Sequence, residues 1–194
     1  MNSKSPFLFR FFRFTLSPLF KLWYNPTIIG KENIPKSGSI IIAGNHRHLM
    51  DQCMVIISTK RDIHYMAKKE YFDNKKVAWF FKGTGCIPVD RKNKNPESVN
   101  IALNVLKDDG AIGIFPEGTR NRTDKTLLPF RFGAVSMASK TDSYIVPFGT
   151  SGTYKFRSKD LTIRFGKPFK VGKMSLEEAN EKLAKEVERL MKKH

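Results

Sequence analysis

Residues Ser39–Asp51 read "SIIIAGNHRHLMD". The first half is an apolar, β-branched run and reads as a strand. Strands of this kind ordinarily end in plain turns. This one ends in two histidines, His46 and His48, followed by the acid Asp51. A strand that delivers such groups at its carboxyl end frames how the rest of the chain is read.

Moving outward, similar apolar runs occur at 63–67, 86–89, 111–115, 144–148 and 161–165, and helical patterns fall between most of them. Asn95–Pro96 opens one helix, with Val99, Ala102, Leu103 and Leu106 on a face and Gly110 past its end. Ser175 and Glu178 form a capping box that opens the last helix, which turns Leu176, Ala179, Leu183, Val187 and Leu190 inward. Strand and helix in alternation predict an α/β fold: one domain over residues 25–194, with a largely parallel β-sheet flanked by helices. In such folds ligands gather beyond the carboxyl ends of the strands.

What stands there is unusual. "NHRHLMD" follows the first of these strands, "PVDR" ends at Arg91 after the third, "FPEGTR" (Phe115–Arg120) follows the fourth, and "VPFGTSG" marks the fifth. Parallel strands would gather these segments at one sheet edge. On a regular helix, a five-residue step turns roughly 500°, so His46 and Asp51 would not face each other. They meet if residues 46–49 form a turn and the helix starts near Leu49. Asp51 then accepts from one ring nitrogen of His46 and leaves the other free as a base. The competing reading is two unrelated polar residues in a loop. A zinc site would need a third ligand, and His64 supplies one only by accident of fold, so no metal is expected. In "FPEGTR", a glycine turn, a hydroxyl and a guanidinium are suited to a phosphate. The competing reading there is a surface turn in which Glu117 pairs with Arg120, which contributes little.

Composition narrows the partners. The chain has 194 residues, with 35 Lys and Arg against 18 Asp and Glu, a net charge of +17. Such a chain should meet something negative. Nucleic acid is not expected, because there are no RNP aromatics and no zinc-finger spacing. Two cysteines are too few for a disulfide framework. Residues 1–24 stand apart, with six Phe by residue 20 and no acid before Glu32. Arg10, Arg13 and Lys21 interrupt the apolar residues too often for a membrane span. At helical spacing Arg10, Arg13, Ser17 and Lys21 share a face. The segment is therefore predicted to be an amphipathic, membrane-associating helix, kinked or in two pieces, with the basic stripe toward lipid phosphates. The alternative is a helix packed on its own domain.

These segments together resemble a known family. "NHRHLMD" matches the H-x-x-x-x-D motif of the glycerolipid acyltransferases, and "GCIPVDR" (Gly85–Arg91) resembles their second motif. "FPEGTR" followed by "PFRFGA" (Pro129–Ala134) resembles the third, and "YIVPF" (Tyr144–Phe148) stands at the place of the fourth. Order and spacing are similar to the PlsC-type lysophosphatidic acid acyltransferases over roughly residues 25–170. The resemblance implies His46 as general base and Asp51 as its partner. It implies that Arg91 and Arg120, helped by Glu117, Gly118 and Thr119, hold the acceptor phosphate. It further implies direct attack of the sn-2 hydroxyl of lysophosphatidic acid on a thioester, acyl-CoA or acyl-ACP (acyl carrier protein), with no bound cofactor. The implied setting is an anionic membrane surface, at the cytoplasmic face, in phospholipid biosynthesis. A related enzyme acting on glycerol 3-phosphate or another lysolipid is the nearest alternative. A non-catalytic membrane-binding module is a distant one.

Overall fold

The computed structural model of the chain describes residues 7–90 and 96–192. Its first element is helix α1, Phe7–Tyr24, with Pro18 inside it. Strand β1 (Thr27–Ile29) follows, then a 3-10 turn over Lys31–Asn33, then β2 (Ile40–Gly44). A short helix α2 (Asp51–Ile56) leads to β3 (Ile63–Lys68), and helices α3 (Glu70–Asp73) and α4 (Lys75–Gly83) lead to β4 (Ile87–Val89). The second half is α5 (Pro96–Lys107), β5 (Ala111–Ile114), α6 (Gly133–Thr141), β6 (Tyr144–Ser151), β7 (Thr162–Phe165) and α7 (Leu176–Met191).

Among the described residues the strands form one seven-stranded sheet in the order β1-β7-β6-β2-β5-β3-β4. The five strands from β6 to β4 run parallel. The sheet reverses between β6 and β7, which pair antiparallel, and β1 joins β7 in parallel. The largely parallel sheet expected from the sequence is therefore present, with a reversed pair at one edge. Strand β6 is longer than its apolar run suggested. It continues through Ser151, so most of "VPFGTSG" is strand rather than a loop beyond it. Pairing with β7, with Phe148 opposite Phe165 and Ser151 opposite Thr162, is what extends it.

The central strand shows why the core has two layers. All five residues of β2 are buried. Ile41 and Ala43 face a core built with α5, α6 and α7, where Leu106, Val135 and Leu183 pack. Ile40 and Ile42 face the other core, with Phe9 of α1 and with Met54 and Val55 of α2. A strand covered on both faces reads as a continuous apolar run, because neither of its alternating faces meets water. Gly44 ends β2 where the neighbouring strand crowds it. A Cβ there would stand 2.3 Å from the carbonyl oxygen of Phe148. The capping box of α7 forms as its sequence predicts: Glu178 N donates to Ser175 Oγ at 3.1 Å, and Ser175 N donates to Glu178 Oε2 at 2.7 Å.

Helix α1 is one helix, but its basic stripe does not point away from the domain. Arg10 and Arg13 pair with Asp62 at 2.6 and 3.1 Å. Arg13 also donates to the carbonyls of Lys60 and Arg61 at 2.8 and 2.9 Å. This corrects the expectation that both arginines face lipid. Asp62 is largely shielded from water, with a side chain 13% exposed, and a carboxylate so placed needs a cation beside it. The outward surface of α1 is apolar instead: Phe7 and Phe14 are each 82% exposed and Leu22 is 66% exposed. Among the described residues no helix is long and apolar enough to cross a membrane.

Candidate active site

The parallel block brings the carboxyl ends of β2, β5 and β6 to one edge, and the candidate residues collect there. A side-chain amide first fixes the turn after β2. Asn45 is fully buried; its Nδ2 donates to Thr150 O at 2.9 Å and its Oδ1 accepts from Thr150 N at 2.7 Å. The chain then turns through residues 46–50, and α2 starts at Asp51 itself, two residues later than the sequence suggests. The Asp51 side chain folds back over that turn, and its Oδ2 accepts from Arg47 N and His48 N, each at 2.7 Å. Asp51 is 1% exposed, so these bonds are not traded for water.

The same oxygen holds the His46 ring. His46 Nδ1 stands 2.9 Å from Asp51 Oδ2. A carboxylate oxygen only accepts, so Nδ1 carries the proton and Nε2 keeps its lone pair. The ring stacks on Phe115 with centroids 4.0 Å apart and planes 16° apart. Two contacts therefore set its orientation, and the free nitrogen is directed by structure rather than by chance.

Glu117 is 4% exposed and is used by the backbone. Its Oε1 accepts from His46 N at 2.7 Å and its Oε2 accepts from Leu128 N at 2.8 Å. Burial pushes its carboxyl above the ordinary range, and the two N–H donors work against that shift. Asn121 N closes the frame by donating to His46 O at 2.6 Å. Glu117 thus ties the His46 turn to the segment after β5. Among the described residues Glu117 forms no ion pair with Arg120; its two oxygens hold backbone N–H donors instead.

Gly118 adopts φ 71°, a left-handed conformation that favours glycine, at the turn "FPEGTR". A Cβ there would also meet Arg131 Nε at 2.7 Å, so the glycine makes room for that guanidinium. Gly118, Thr119, Arg120, Arg122 and Arg131 line the same cavity as His46. Arg91, the other predicted phosphate ligand, lies outside the described residues. The cavity has a volume of about 1840 Å³ and runs from this cationic end beneath α1, past Phe9, Phe20, Ile56, Tyr65 and Phe81. Cys53 also lines it, and burial, aided by the Asp51 charge, pushes its thiol up to about 11.

The sequence missed Tyr154, Asn45, Asn121 and Arg131. Tyr154 Oη donates to the second oxygen of Asp51, Oδ1, at 2.7 Å. Arg131 stands within "PFRFGA" and was legible as part of a motif, though not as a lining residue. Tyr154 carries no local signal, because it meets Asp51 from 103 positions away. His48 is not brought to a metal-like arrangement: its Nδ1 accepts from Met50 N at 3.3 Å and its ring stacks on Tyr154. Among the described residues no three His, Cys, Asp or Glu side chains stand where they could hold a metal ion.

Comparison with known proteins adds an independent line. A family model described as Acyltransferase matches residues 25–151. A 1-acyl-sn-glycerol-3-phosphate acyltransferase of Bacillus subtilis (strain 168) is 31% identical over 188 residues, covering 94% of this chain and 93% of the relative. One of the same name from Borreliella burgdorferi is 33% identical over 141 residues, where the match spans 72% of this chain and 56% of the relative. The crystal structure of the 1-acyl-sn-glycerophosphate (LPA) acyltransferase PlsC from Thermotoga maritima superposes with a TM-score of 0.76 at 24% identity, covering 93% of this chain and 77% of that one.

Proposed function

Because this chain belongs to the acyltransferase family, we propose that it acylates the sn-2 hydroxyl of lysophosphatidic acid, using acyl-CoA or acyl-ACP, to give phosphatidic acid. The observation that carries this reading is the oriented His46–Asp51 pair at the cationic end of a long apolar cavity. His46 Nε2 takes the proton of the acceptor hydroxyl as its oxygen attacks the thioester carbonyl. Asp51 stabilises the imidazolium that forms. When the tetrahedral intermediate collapses, the C–S bond breaks and the imidazolium returns the proton to the departing thiolate. The acyl group passes directly between substrates, so neither an acyl-enzyme nor a metal is needed.

Arg120, with Gly118 and Thr119, supplies cation and N–H donors for the acceptor phosphate, and Arg91 is the second clamp in this proposal. The cavity beyond is wide and apolar enough for hydrocarbon chains. Glu117 acts on the site through His46 rather than on substrate. Both acceptor and product are bilayer lipids, which fits the apolar outward face of α1 and a peripheral position on the cytoplasmic leaflet.

A donor-by-acceptor matrix with purified protein in vesicles tests the reading. Thiol release from acyl-CoA or acyl-ACP is expected only with lysophosphatidic acid present. His46→Ala is expected to lower turnover by at least ~10³-fold while the fold persists. Faster use of glycerol 3-phosphate or another lysolipid would overturn the acceptor. A His46→Ala protein with a tenth of normal activity would overturn the mechanism.

A further inference from the structure

Asp51 has two carboxylate oxygens and they are not equivalent. Oδ2 serves His46 Nδ1, Arg47 N and His48 N. Oδ1 is served by one side chain, the Tyr154 hydroxyl at 2.7 Å. We propose that Tyr154 is a positioning residue of the His46–Asp51 pair: its hydroxyl fixes the rotation of the Asp51 carboxylate and draws off part of its negative charge, setting how strongly Asp51 pulls on His46. The inference rests on the reading of His46 as the base.

The geometry around Tyr154 is built for that task. Residues 152–161 link β6 to β7, and Gly152 turns the chain at φ 91°, where a Cβ would stand 2.1 Å from Asp160 O. The loop closes on itself through Thr153 Oγ1, which donates to Asp160 Oδ1 at 3.1 Å, and through Ser158 to the same carboxylate. It is seated on α1 by Arg157 N, which donates to Trp23 O at 2.6 Å. The Tyr154 ring stacks on His48 at 4.1 Å and meets Tyr24 of α1 edge-on at 5.7 Å. Ring contacts thus hold the hydroxyl on Oδ1, and burial together with the Asp51 charge keeps that hydroxyl protonated far beyond its usual range. A buried carboxylate oxygen that loses a hydrogen-bond donor becomes more basic. The carboxylate then binds the Nδ1 proton more tightly and favours the imidazolium.

The direction of the effect follows. In Tyr154→Phe, the acidic limb of the kcat/KM profile should move to higher pH by roughly half a unit or more, and kcat should fall roughly tenfold. KM for both substrates should stay within about twofold, because the ring and its stacking remain. A ring-fluorinated tyrosine at 154 has nearly the same size and a more acidic hydroxyl, so the limb should move the other way. That second protein decides the matter should the Phe variant fold poorly. Other ionisable groups face this pair: Tyr24 from α1, Arg47 and His48 from the turn, Cys53 from α2, Tyr65 from β3 and Glu117 after β5. Cys53 and Tyr65 are held protonated above neutral pH by burial. His48 stacks on Tyr154, so the titration followed in these proteins is that of the His46 ring itself, resolved from His48 by NMR. An NMR spectrum should also show the His46 Nδ1 proton moving downfield in Tyr154→Phe. An unmoved limb in both the Phe and fluorotyrosine proteins, or a loss confined to KM or Tm, overturns the inference. If His46→Ala abolishes turnover in the same series, the proposed function stands without it.

Discussion

At the scale of residues, the site is a problem of donors and acceptors solved within a few ångströms. The five-residue spacing from His46 to Asp51 is wrong for a helix and right for a turn, and the turn is what forms, with Asp51 accepting from two of the N–H groups between them, those of Arg47 and His48. That pair was legible because both members lie in one stretch of sequence. Glu117 was legible as a motif residue but not in its task, since its partners His46 N and Leu128 N are backbone groups that leave no trace in side-chain identity. Tyr154 was not legible at all, for the loop that brings it to Asp51 is placed by the β6–β7 pairing. Cys53 offers a check on this environment. Its thiol is raised from 9.0 to about 11 by burial and then by Asp51, so the folded protein keeps the thiol where the unfolded chain ionises. A group raised in this way contributes stability that is complete below 9.0 and lost as pH climbs to about 11. Cys53→Ser should therefore flatten the fall in stability across that window, by up to about 2–3 kcal/mol, measured as urea midpoints from pH 8 to 11. Identical slopes for the two proteins would mean that the thiol is not shielded.

Among the elements, those with a long period or a clear cap were readable. The α7 capping box and the β2 run follow from pattern alone, because burial on fixed faces is what creates the pattern. Strand β1 and helix α3 were not readable, since three and four residues carry too little period. The helix that changes most between sequence and structure is α1. Its cations looked like a lipid-facing stripe, and no local rule could disclose that Asp62, 52 positions from Arg10, would collect two of them. The Asp62→Asn protein should hold α1 less tightly, by about 1 kcal/mol for a shielded carboxylate whose arginine partners still reach water. Amide exchange in α1 should accelerate several-fold while β2 and β5 stay protected, as followed by mass spectrometry. Unchanged exchange in α1 would show that Phe9 and the other buried rings suffice to hold it.

For the whole molecule, cavity and surface share one design. The cavity could not be read from the chain, because it is made by what distant elements leave unfilled, here between α1, α2, α4 and the sheet. Helix α4 leans on α1 through Phe80 and Phe12, with ring centroids 5.3 Å apart, and presents Lys75, Lys76 and Lys82 to solvent. With Arg10 and Arg13 already paired, Lys21 and these lysines are exposed cations of α1 and α4, and each is expected to contribute ~1 kcal/mol beside an anionic leaflet at low salt. Binding to anionic vesicles should weaken with added salt, and a remainder owed to the exposed aromatics should persist; sedimentation measures both. The chain's two tryptophans, Trp23 on α1 and Trp79 on α4, are 56% and 58% exposed. The protein therefore carries its own optical probe. Indoles that leave water for a lipid interface should shift their emission to the blue, with no dye attached. In Trp79→Phe the remaining signal belongs to α1, and in Trp23→Phe it belongs to α4. Two spectra then tell which helix enters the lipid and whether the other follows.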